Sequence, residues 1–116
     1  MEENLKQMLI GMQNKMIEDS RQLSTVKAQI QAKEREKRLS ELTYKEVSQI
    51  GDNIRTYKSV GKMFLQADKS VLEKEIKGRI DVSNEGIKAL EKKATYLERN
   101  INEINGNLKD IFNRRS

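Results

Sequence analysis

The chain has 116 residues, of which 35% are charged and 4% aromatic, with no proline, cysteine or histidine and a formal net charge of +5. That length allows one domain at most, and the composition favours long helices over a packed globule. Without thiols or imidazoles, the common nucleophiles, general bases and zinc ligands are missing together, which argues against an enzyme and implies no cofactor or metal.

The first element expected is a helix over residues 3–49. Leu5, Leu9, Met12, Met16, Asp19, Leu23, Val26 and Ile30 follow alternating steps of four and three, the spacing of a coiled-coil seam. Asp19 is the polar intruder, either a register pin or a weak spot. Past Ile30 the same phase lands on Lys33 and Lys37, while apolar residues move to Leu39 and Leu42. The reading is a slip of the seam near Arg35, or a helix that turns toward something else. Tyr44, Val47 and Ile50 add apolar positions. Gly51-Asp52-Asn53 then ends the helix, with Gly51 suited to a left-handed cap.

Residues 54–66 break the helical pattern. Ile54–Val60 and Lys62–Gln66 read as two short strands around a tight turn at Gly61. A lone hairpin is barely stable in water, and Tyr57, Val60, Met63, Phe64 and Leu65 make an apolar cluster too large for two helices to cover. Hairpins from several chains are therefore expected to pool into a shared sheet or barrel, the alternative being a hairpin tucked onto its own helices.

The last element is a helix over residues 69–113. Asp68 and Ser70 are both N-cap candidates, and Ser70 to Glu73 has capping-box spacing. Ile76, Ile80, Ser83, Ile87, Leu90, Ala94, Leu97, Ile101, Ile104, Leu108 and Ile111 hold the four–three rhythm without a break. Gly78, Gly86 and Gly106 interrupt this helix, each costing about 1 kcal/mol against alanine. The expected fold is mainly α, a long antiparallel two-helix coiled coil joined by a central β-hairpin that pools into an oligomeric β-barrel. Arms of that length would run roughly 60–70 Å. Folding at Gly61 would bring both chain ends to one tip holding Leu5, Met8, Leu9, Met12, Met16, Leu108, Ile111 and Phe112. Met8 and Phe112 fall off the seam, so the tip either offers adaptable apolar surface to a partner or merely closes the end of the coiled coil.

Charge separates the remaining function classes. Residues 1–50 carry nine basic and eight acidic side chains, residues 51–70 four and two, and residues 71–116 ten and eight. Acid precedes base by four at Glu34/Arg38, Glu41/Lys45, Glu73/Lys77 and Glu75/Arg79, as on a solvated helix. A phosphate-binding face would show a one-sided basic stripe, so no nucleic-acid partner is expected. No apolar run is long enough for a bilayer and the N-terminus lacks a signal-peptide pattern, which points to a cytoplasmic protein with no membrane contact.

The stretch Tyr57-Lys58-Ser59-Val60-Gly61-Lys62-Met63-Phe64-Leu65, with Asp68-Lys69 and then Tyr96-Leu97-Glu98-Arg99 on the heptad helix, resembles prefoldin, and its β class in particular. The resemblance covers essentially the whole chain as one prefoldin β-type domain, residues 1–116. It implies a hexamer of α- and β-class subunits whose hairpins form a double barrel. Its coiled-coil tips would hold non-native actin and tubulin and pass them to the cytosolic chaperonin without ATP. On this sequence, assembly would fall to Tyr57, Val60, Gly61, Met63, Phe64 and Leu65, and client contact to the eight tip residues. The alternative is a coiled-coil scaffold or tether subunit of a prefoldin-like assembly without holdase activity.

Overall fold

The computed structural model describes residues 2–51 and 54–115, with the side chain of Arg115 outside the description. Asp52 and Asn53, expected as turn residues, lie outside it. In chain order the elements are α1 (Glu2–Gln49), β1 (Thr56–Val60), β2 (Met63–Ala67) and α2 (Lys69–Arg115). Backbone contacts divide the chain into two units, one of residues 1–30 with 89–116 and one of residues 31–88.

In the first unit the two helices meet along the predicted seam. Val26, Ala94 and Leu97 form its buried centre, with Leu23, Ile30 and Leu90 packed around them. Leu108 is also buried, and Leu5, Leu9, Met12, Met16, Ile101, Ile104 and Ile111 are half-buried. Side chains set every third or fourth residue, nearly all of them apolar, line one face this way. Across the seam's rim, Lys27 pairs with Glu98 at 3.8 Å.

In the second unit the seam does not slip. Lys33, Lys37, Ser40, Tyr44 and Val47 are half-buried in unbroken phase with Ile30, whereas Leu39 and Leu42 are exposed. The expected shift near Arg35 is thus corrected, and the physical reason lies on α2. A Cβ on Gly86 would come within 3.1 Å of Cδ and Cε of Lys33. The bare backbone at Gly86 makes room for the end of the Lys33 side chain, whose methylenes can cover the seam. Ile76, Ser83 and Ile87 supply the buried positions on α2.

The hairpin follows from one glycine. Val60 pairs with Met63, leaving Gly61 and Lys62 as a two-residue turn. Gly61 has φ +62°, as the first central residue of a type II′ turn requires. The register continues through Ser59–Phe64, Lys58–Leu65 and Tyr57–Gln66 to Thr56–Ala67, where the Thr56 hydroxyl also donates to the Ala67 carbonyl. β1 thus starts two residues later than the sequence predicts, and β2 is shifted by one residue, from 62–66 to 63–67. Ile54 instead closes a turn, its N–H donating to the Gly51 carbonyl at 3.1 Å.

The helix ends are also built differently from expectation. Gly51 does not take the left-handed conformation, since Gly61 is the positive-φ glycine among the described residues. Instead Ile50 N–H donates to the Val47 carbonyl, and Lys69 Nζ donates to the carbonyls of Ser48 (3.1 Å) and Ile50 (2.7 Å). The last turn of α1 has no basic residue of its own, so a cation from α2 satisfies its carbonyl end. Asp68 takes the N-cap position of α2, its carbonyl accepting from Val71 and Leu72. Ser70 lies inside the helix, so the capping box read from Ser70 and Glu73 is not the cap.

Candidate functional sites on the hairpin and the helix ends

Strand alternation sets Tyr57, Ser59, Phe64 and Gln66 on one face of the hairpin and Lys58, Val60, Met63 and Leu65 on the other. Both faces are therefore partly apolar. Neither is covered: Tyr57, Val60, Met63 and Leu65 are all exposed, and Phe64 is 74% exposed. The hairpin is not tucked onto its own helices. Among the described residues its charged anchor is Lys58, whose ammonium donates to Glu75 Oε1 on α2 at 2.7 Å. That bond ties the middle of β1 to α2, yet Val60, Met63 and Leu65, on the same face as Lys58, remain exposed. The sheet is a two-stranded antiparallel pair, so each strand pairs along one edge only.

The residues predicted for client contact separate into two groups. Leu5, Leu9, Met12, Met16, Leu108 and Ile111 belong to the seam of the first unit, and Leu108 is buried there. Met8 and Phe112 are exposed, as are Ile10 and Ile17, which the sequence reading did not single out. Their off-seam phase was the available signal. Leu5 and Met8, with Glu2 and Asn4, line a shallow depression of about 430 Å³.

A second apolar depression lies in the other unit, and sequence reasoning missed it. Leu39 and Ser40 of α1 face Gly78, Val82 and Ser83 of α2 across a groove of about 630 Å³. Glu36, Glu75 and Arg79 complete its lining. Leu39 is 66% and Val82 67% exposed. The signals are Val82, an apolar residue off the α2 seam, and Leu39, whose phase on α1 fits either a slipped seam or a helix that turns toward something else.

Charges elsewhere decorate the helix surfaces. Glu41, Glu73 and Glu75 pair with Lys37 (3.9 Å), Lys69 (3.8 Å) and Lys58 (2.7 Å), rather than with the bases four residues on. Among the described residues, no helix is long and apolar enough to cross a membrane. No group of three or more potential metal-ligating side chains converges among them either.

Two helices joined through a two-stranded hairpin, with matching turn and heptad motifs, define a recognisable class. The family model for prefoldin subunits matches residues 11–115, and the chain belongs to that family. It is 35% identical over 99 residues to the probable prefoldin subunit 1 of Schizosaccharomyces pombe, covering 85% of this chain and 88% of the relative. It is 30% identical over 108 residues to prefoldin subunit 1 of Mus musculus, covering 93% and 88%. Its fold is similar to the crystal structure of the prefoldin beta subunit from Thermococcus strain KS-1, with a TM-score of 0.86 at 21% identity over 90% of this chain and 91% of that one. The β-class, subunit-1-like character read from the hairpin and heptad motifs is thus found in its relatives as well. The chain is a prefoldin-type chaperone subunit, and membership of the family implies assembly with other prefoldin subunits.

Proposed function

We propose that this chain is one subunit of a heterohexameric, ATP-independent co-chaperone. It would capture unfolded proteins, actin and tubulin among them, at coiled-coil tips and deliver them to the cytosolic chaperonin. The observation that carries the assembly half is the uncovered hairpin: two short strands, apolar on both faces, with Phe64 and Met63 among the most exposed side chains. Such a hairpin is barely stable alone and gains most by joining strands from other subunits. Tyr57, Val60, Met63, Phe64 and Leu65 would form the contacts and Gly61 the turn, with α- and β-class prefoldin subunits as partners in the cytoplasm.

The client half rests on the first unit, where Met8 and Phe112 stay exposed beside a seam of Leu5, Leu9, Met12, Met16, Leu108 and Ile111. Methionine and phenylalanine on an otherwise polar helix surface suit irregular apolar segments. Each contact would be weak, and affinity would come from several subunits acting together.

The test keeps the seam intact. Met8→Ser and Phe112→Ser are made together in the assembled complex, and suppression of aggregation of a denatured protein is measured. Suppression should fall while native mass and helical content stay unchanged. Full protection by the double variant counts against client contact there, and complete loss of protection in the parent complex as well favours a scaffold or tether.

A further inference from the structure

The groove between Leu39 and Val82 is an apolar surface that the chain does not cover itself. Three observations bear on what covers it. The apolar residues of this stretch of α1 are turned outward: Lys33, Lys37 and Ser40 occupy the seam, while Leu39 is exposed. Gly78 lines the groove, and a Cβ built on it would meet nothing within 4 Å. A helix glycine costs about 1 kcal/mol against alanine, and none of the described residues uses the space it leaves. Finally, the groove is continuous with the hairpin, because Glu75 both lines it and holds Lys58 of β1 at 2.7 Å.

From these we infer that the groove receives a neighbouring subunit of the same prefoldin assembly, packed closely over Gly78 and between Leu39 and Val82. The inference rests on the reading of the hairpin as the assembly element, and extends that interface from the hairpin onto the adjoining helices. Chemistry selects the occupant. The rim carries both signs, with Glu36 and Glu75 against Arg79, which suits the mixed charged surface of another helix. A glycine in the floor lets a backbone or a bulky side chain approach to contact distance. The position beside the Lys58–Glu75 bond places such a partner where a subunit already docked on the hairpin would continue.

A photo-crosslinking residue is placed at Leu39, at Val82 or at Phe64 of β2, each in the fully assembled complex. Crosslinks from Leu39 and Val82 to another prefoldin subunit, alongside those from Phe64, are expected. Gly78→Leu, which fills the groove, should leave helical content unchanged and speed exchange of this subunit out of the complex about tenfold, since interface changes act mainly on dissociation. Crosslinks from Phe64 but none from Leu39 and Val82 overturn the groove inference and leave hairpin assembly standing. So do crosslinks from Leu39 and Val82 only to an added denatured protein. Unchanged exchange by Gly78→Leu overturns the close approach. Silence at all three positions overturns hairpin assembly and the groove together.

Discussion

Asp19 occupies a seam position that the heptad pattern reserves for an apolar side chain, and it is 1% exposed. Lys15, one turn earlier, donates to Oδ1 at 3.1 Å, while Oδ2 has no hydrogen-bond partner among the described residues. A buried acceptor left unpaired costs about 1–3 kcal/mol, and replacing a buried charge by an apolar residue of similar volume is often neutral or stabilising. Asp19 is therefore a weak spot in the seam. Asp19→Leu should stabilise the complex by about 1–2 kcal/mol, seen as a higher thermal midpoint. Lys15→Ala should lower that midpoint in the parent and leave it unmoved in the Asp19→Leu background. An equal loss in both backgrounds would show that Lys15 acts through something other than this carboxylate.

At the scale of elements, the junction between α1 and the hairpin depends on a residue of α2. Lys69 Nζ bonds the Ser48 and Ile50 carbonyls, so the end of α1 is capped across the chain. Lys69→Met keeps the stem and removes the bonds to both carbonyls, together with the longer Glu73 pairing. It should lower stability by about 1 kcal/mol, since a cation at a helix C-terminus contributes roughly that much when partly buried. Faster hydrogen exchange should appear over the last turn of α1 and not near Val26. Exchange raised equally everywhere would mean a global loss instead. The same junction shows which elements could be read from sequence. α2 was legible because its seam is almost all Ile and Leu, so each residue declared its own side. The hairpin was legible because Gly61 sits among aromatic and β-branched residues. The stretch Lys33 to Ser40 was not, because what turns a lysine into a seam residue is the missing Cβ of Gly86 on the other helix. That information is non-local, and a single-strand periodicity cannot hold it. Gly51 misled for a related reason, since the cap it seemed to supply comes from Lys69. The candidate sites divide similarly: exposure of Phe64, Met8 and Phe112 followed from local pattern, whereas the Leu39–Val82 groove needed both helices.

For the molecule as a whole, the proposed role of the uncovered hairpin would make stability and assembly one property. A subunit whose sheet has two strands and apolar side chains on both faces would then be completed by its neighbours. Phe64→Asp should therefore act on the quaternary level: a charge on an exposed side chain costs the free chain little, but is severe once strands from other subunits close over it. Native mass should fall below that of the full complex with helical content largely retained. A variant that assembles normally would show that Phe64 stays in solvent and that subunits meet elsewhere.

The Lys69 clasp also carries a kinetic consequence. It joins residues only 19 and 21 positions apart, whereas Val26 and Leu97 must close a loop of about 70 residues. The entropy lost on closing a loop rises with its length, so the clasp and the hairpin it encloses form first and shorten every later search. In pulsed hydrogen exchange during refolding, the last turn of α1 is therefore expected to gain protection before the seam around Val26 and Leu97.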